Sequence, residues 1–178
     1  MLRINLQDLF KEFCAKKNFD INRQQTEIIN LLDKFLKNKE SFINKILKKK
    51  IKLCFYLYGK VGVGKTMLLD FVYDNYEIRK HRLHFNEFMI NFHNFRHKKK
   101  DDNTIKDFVK NLKKSFDLIY LDEFQVTNIV DAMILGKLFE NMFKENIKII
   151  LTSNTQLSEL YKDGLQRDQF KPFIEIMK

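Results

Sequence analysis

A chain of 178 residues holds one domain with a substantial core and is too short for two large ones. Hydrophobic residues make up 44% and charged residues 31%, which excludes a compositionally disordered chain. The net charge of +10 invites a nucleic-acid or acidic-membrane reading, yet the excess lies at the front: residues 1–50 carry net +6 and residues 51–178 net +4.

The dense runs Lys48-Lys49-Lys50 and Lys98-Lys99-Lys100 stand beside expected element boundaries, where solvated lysines are ordinary. Both readings of the charge, a polyanion patch and a solvated face, stay open. No apolar stretch nears the roughly 18 residues needed to span a bilayer, and the N-terminus has neither a signal-peptide core nor a transit-peptide composition. The expected place is the cytosol.

Apolar side chains at helical spacing, Leu6, Leu9, Phe10 and Phe13, then Ile28, Ile29, Leu32, Phe35 and Leu36, predict two amphipathic helices. Residues 18–22 separate them, with Asp20 placed to cap the second. Cys14 and Cys54 lack CxxC spacing, so free thiols are expected, Cys54 buried within an apolar strand.

From residue 51 the pattern becomes short apolar runs, 51–58, 81–86, 116–122 and 147–152, with helical stretches between them, including 87–95 and 104–114. Alternation of this kind predicts an α/β fold with a parallel sheet flanked by helices. The expected organisation is an N-terminal helical segment over 1–48 and an α/β core over 49–178.

Gly59, Lys60, Val61, Gly62, Val63, Gly64, Lys65 and Thr66 satisfy G-x-x-x-x-G-K-[ST], between an apolar strand and an apolar helix. Glycines in such a loop let successive N–H groups curl around phosphate oxygens, and the helix N-terminus adds its positive end. Lys65 is placed to bridge the β- and γ-phosphates of ATP, and Thr66 to put its hydroxyl on Mg²⁺.

Residues 116–123 form an apolar run ending in Asp122-Glu123, a Walker B pattern about fifty residues beyond the loop. Ligands of open α/β sheets bind at the carboxyl ends of strands, so Asp122 can face the magnesium shell and Glu123 can polarise the attacking water. The D-x-x-G and N-K-x-D elements of a small GTPase are missing, and nucleoside kinases lack the catalytic Glu, which favours ATP hydrolysis.

Thr152-Ser153-Asn154 follow the last apolar run. Asn154 can contact the γ-phosphate or orient water; the other reading is a turn or cap. Arg167, in a helical stretch farther on, is either a finger toward a neighbouring subunit's γ-phosphate or a surface arginine paired with Asp163 or Asp168. His93 and His97 share a helix face by i, i+4 spacing but lack the Glu of H-E-x-x-H, so magnesium accompanying ATP is the only metal expected.

In order, these segments resemble the AAA+ ATPases of the ZapE family of bacterial cell-division proteins and their mitochondrial relatives of the Afg/lactation-elevated type. The resemblance rests on residues 56–59 running into the loop, on His84-Phe85-Asn86-Glu87-Phe88-Met89, on the long run 121–135 beginning Leu121-Asp122-Glu123-Phe124-Gln125-Val126-Thr127, and on 152–154 and 160–167. It implies a P-loop NTPase fold of the AAA+ type and an ATPase that assembles into a ring. It further implies a protein partner at the division site or inner-membrane surface, with roles for Lys65, Thr66, Asp122, Glu123, Asn154 and Arg167. Nucleic acid is the less favoured partner; a helicase-loader type ATPase and a non-hydrolysing adaptor are the alternatives. Members of the family continue past Lys178 into a strand and a helical lid. The chain is therefore expected to be C-terminally truncated, to leave one edge of the 51–58 strand uncovered, and to bind ATP weakly with little turnover by itself.

Overall fold

A computed structural model describes residues 5–38, 52–99, 101 and 103–177. The expected boundary at 48/49 lies outside the described residues. Internal contacts divide the chain into two units: one runs up to Phe55 and includes 66–77, the other holds 56–65 and everything from Ile78 on.

In the first unit, α1 (Leu6–Lys17) and α2 (Arg23–Lys37) form where the periodicity places them. Asn22, not Asp20, caps α2: its side chain accepts from the Gln24 N–H at 2.8 Å. A capping oxygen must sit on the residue directly before the first helical one, and Asp20 stands two residues too early. Asn18 ends α1 in the left-handed region at φ 53°, a conformation Asn tolerates. The core of this unit is aromatic and aliphatic, with Phe10 and Phe13 each 5.2 Å by ring centroid from Phe71 of α3 (Lys65–Asn75). Phe35 lies against Phe55. Cys14 is buried and Cys54 half-buried, both as free thiols that burial pushes up from their ordinary pKa.

The strands β1 (Cys54–Tyr58), β2 (Lys80–His84), β3 (Leu118–Asp122) and β4 (Lys148–Ser153) form one sheet in the order β1-β4-β3-β2. β2 and β3 pair in parallel with Arg82 opposite Tyr120 and His84 opposite Asp122, and β3 and β4 pair in parallel with Tyr120 opposite Ile150. β3 and β4 are buried along their whole lengths, as parallel strands covered on both faces must be. β1 is the terminal strand on its side of the described sheet, as expected for the 51–58 run.

The second unit covers its sheet with α4 (Phe85–Lys98), α5 (Thr104–Ser115), α6 (Ile129–Lys144) and α7 (Arg167–Met177). The run 81–86 was expected to be strand throughout; instead Phe85 opens α4, directly after His84 as its N-cap residue. A short apolar run does not reveal by itself where strand passes into helix. Phe124 centres an aromatic cluster, with centroids 4.6 Å from Phe85, 5.7 Å from Phe173 and 6.2 Å from Phe139. Pro172 lies inside α7, five residues after its start, while Phe170, Phe173 and Ile174 of the same helix are buried.

At the opposite end of β3 from its acidic tip, Asp117 accepts two hydrogen bonds from Arg79, each 2.8 Å, and one from Lys113 at 2.7 Å. The Arg79 bonds, with Lys113 adding to them against some desolvation, hold the Asp117 carboxyl down to about 2. Because the folded value is depressed below the ordinary value of about 4, this stabilisation is fully present above pH about 4 and is lost as pH falls toward 2. Asp117→Asn is therefore expected to cost about 1 kcal/mol near neutrality, after discounting for solvent screening, and close to nothing at pH 2. Urea unfolding of both proteins across that range measures the difference.

Candidate functional site

β1 runs directly into the loop 59–64, and α3 begins at Lys65. Gly62 and Gly64 hold φ of 82° and 86°, a backbone region a side chain strains, so both glycines of this turn are required by its shape. Residues alternating in this way form the concave row of N–H groups that receives anions. The Lys65 ammonium is gathered over the loop, donating to the Gly59 carbonyl at 2.6 Å, the Lys60 carbonyl at 2.8 Å and Asn154 Oδ1 at 3.0 Å. Its three donors thus meet three acceptors, all of which a phosphate can replace. Thr66 follows in the chain and belongs to the first unit.

Asp122 ends β3 with its side chain 9% exposed. Its Oδ1 accepts from the Thr152 hydroxyl and from the Glu123 N–H, the latter at 3.1 Å; Oδ2 accepts from Arg82 Nη2 at 2.9 Å. Desolvation alone would push this carboxyl up, but the hydrogen bonds from Thr152 and Arg82, the Arg82 charge and the Glu123 amide together hold it below its ordinary value. It stays an anion where it is.

Glu123 has the opposite surroundings. Its side chain is 78% exposed, with His84 Nδ1 3.7 Å from Oε2. Its backbone is left-handed at φ 54°, which costs energy for a residue other than glycine. The conformation persists because the Glu123 N–H is bonded to both Asp122 Oδ1 and Thr152 Oγ1, and the following Phe124 N–H returns to the Thr152 carbonyl at 2.7 Å. The effect is to lift the Glu123 carboxylate off the strand while keeping its main chain tied to the sheet.

The tip of β4 joins these parts. Thr152 holds Asp122 and Glu123; the Ser153 carbonyl accepts from the Gly59 N–H at 3.2 Å, and its hydroxyl donates to the Phe124 carbonyl at 2.8 Å; Asn154 accepts from Lys65. One strand end therefore touches the start of the phosphate loop, its lysine and the acidic pair.

Arg167 is not among these groups. Its Nη2 donates to the Ser158 carbonyl at 2.7 Å, and its Nε is buried with no hydrogen-bond partner among the described residues. Among the described residues no close ion pair joins Arg167 to Asp163 or Asp168; Asp168 pairs with Lys171 at 2.5 Å, and the Arg167 charge adds to that of Lys171 in holding its carboxyl below the ordinary value. His93 lies 2.7 Å from Asp131 Oδ1, and no cluster of His, Cys, Asp and Glu among the described residues is arranged around a metal. No helix among them is long and apolar enough to cross a membrane.

Sequence reasoning missed Arg82 and Thr152. Arg82 has a faint signal, a cation in a strand two positions before the end. Thr152 has a stronger one, a hydroxyl closing an apolar run next to an acidic strand end.

The family model described as AFG1-like ATPase matches residues 7–178. The chain is similar to Lactation elevated protein 1 homolog B of Danio rerio, 44% identical over 137 residues that cover 70% of this chain and 27% of that protein. It is 38% identical over 125 residues to the cell division protein ZapE of Escherichia coli, covering 69% of this chain and 33% of that one. The chain thus spans a third or less of the length of these relatives. Among solved structures, the AMPPCP-bound DnaA of Aquifex aeolicus aligns with a TM-score of 0.59 at 22% identity, over 88% of this chain and 46% of that one. The DnaC helicase loader aligns with a TM-score of 0.57 at 16% identity, over 89% of each chain. These likenesses establish the fold as that of a P-loop NTPase, and by the family match, which covers nearly its whole length, the chain belongs to the AFG1-like ATPases.

Proposed function

We propose that this chain binds ATP with Mg²⁺ on the loop 59–66 and hydrolyses it as an AAA+ type ATPase. The observation that carries the reading is the β4 tip, where Thr152, Ser153 and Asn154 tie the acidic strand end to the phosphate loop by hydrogen bonds. The donor set fits a triphosphate: an ammonium, a glycine-shaped turn and a helix N-terminus. The Lys65 ammonium exchanges its two carbonyl partners for β- and γ-phosphate oxygens. Residues 60–64 offer main-chain N–H groups. Thr66 and Asp122 are the residues to hold Mg²⁺, which when bound neutralises charge developing on the phosphate oxygens. Glu123, exposed at the strand end, orients and deprotonates the attacking water. Asn154 keeps the γ-phosphate in register with Lys65, and Arg167, released from Ser158, serves a neighbouring subunit in a ring.

At the level of the cell, the reading is an ATPase that remodels a protein partner at the division site or inner-membrane surface, supported by the similarity to ZapE. A second reading, a nucleic-acid-dependent ATPase, is favoured by the net charge of +10 and by the fold shared with the DnaC helicase loader. Calorimetry with Mg-ATP tests the shared core: saturable binding supports it, and no binding up to millimolar ATP refutes it. Turnover with and without single-stranded DNA at low and high salt separates the two readings. Unchanged rates support the first; stimulation that fades steeply with salt supports the second.

A further inference from the structure

Arg82 occupies the middle of β2, opposite Tyr120 of β3. Residues two apart in a strand share a face, so Arg82 and His84 on one strand and Tyr120 and Asp122 on the next lie on the same side of the sheet. The guanidinium carbon sits 4.9 Å from the Tyr120 ring centroid, and Nη2 reaches forward to Asp122 Oδ2 at 2.9 Å. Placed over the ring, the guanidinium is restrained in position, and a donor so held restrains the carboxylate it bonds.

An ionised carboxylate offers about four acceptor positions. Two on Oδ1 are taken by Thr152 and the Glu123 amide, and one on Oδ2 by Arg82. Rotation of the carboxylate would break all three bonds. Among the described residues, what remains is a single acceptor position on Oδ2. With Asp122 buried and Arg82 part-exposed, the pair contributes little net stability, since desolvation of the carboxylate offsets the attraction. The pair does more for geometry than for folding.

We propose that Arg82 is a positioning residue: stacked on Tyr120 and bonded to Asp122, it orients the last free acceptor of that carboxylate toward the divalent cation that accompanies a nucleotide. The proposal rests on the reading of 59–66 and Asp122 as a Mg-nucleotide site. Its signature is a selective loss of the metal-dependent part of nucleotide affinity, because Arg82 has no role in the phosphate loop itself.

The test measures the dissociation constant of a fluorescent ATP analogue for the 178-residue chain with Mg²⁺ and in EDTA, with thermal melts alongside. Arg82→Met keeps an apolar stem over Tyr120 and removes the donor. It is expected to reduce the Mg²⁺-dependent gain in affinity about tenfold, while affinity in EDTA stays within about twofold. Arg82→Lys, which keeps one donor without the plane, is expected to lose about threefold of the gain, and it carries the test alone if Arg82→Met does not fold. Equal losses in Mg²⁺ and EDTA, or no loss, overturn the proposal. A wild-type chain that gains nothing from Mg²⁺ overturns the underlying site reading, and that outcome is visible before any variant is made.

Discussion

Lys65→Ala is expected to abolish measurable ATP binding, a loss of about a hundredfold or more. Two charge-assisted bonds to phosphate oxygens, at about 1.5–3 kcal/mol each, disappear together. The fold should survive, because Lys65 is the first residue of α3 and alanine is the strongest helix former. Circular dichroism checks the helix content, and calorimetry or analogue fluorescence checks binding. Affinity within about threefold of wild type, in a folded variant, would remove the phosphate role from this loop.

Glu123→Gln separates binding from chemistry. Gln keeps the size and the left-handed backbone cost of Glu, and the main-chain bonds to Asp122 and Thr152 do not involve the side chain. ATP affinity should therefore stay within about twofold, while single-turnover hydrolysis falls by about 10²–10⁴, the usual contribution of a positioned general base. Quench-flow with radiolabelled ATP measures it. Hydrolysis unchanged in this variant would mean that another group, or water alone, takes the proton. His84, near the Glu123 carboxylate, is then the first residue to replace.

The fold was largely legible because its signals are local. The glycine spacing of 59–66, the apolar runs that become β1 to β4, and the acidic end of the third run each need only a few neighbouring residues to be recognised. Asn154 was identified by its position after an apolar run, and its bond to Lys65 follows from β4 lying next to β1.

What escaped depends on register. Arg82 meets Asp122 across forty residues of sequence, through a parallel pairing whose offset no single strand encodes. Thr152 grips Asp122 for the same reason, across thirty residues. Arg167 was offered two readings on its spacing, and neither anticipated a main-chain carbonyl at Ser158 as its partner. The Asp20 expectation failed by two residues, within the uncertainty of any helix start inferred from spacing.

Pro172 has no N–H, so the carbonyl of Asp168 loses the helical bond it would otherwise receive. Phe170 before it and Phe173 and Ile174 beyond it are all buried, and the Phe170 and Phe173 rings stack at 5.0 Å, so side-chain packing bridges the missing bond. Arg167 consequently stands on a turn whose hold on the core is aromatic rather than main-chain, with its guanidinium tied back to the Ser158 carbonyl.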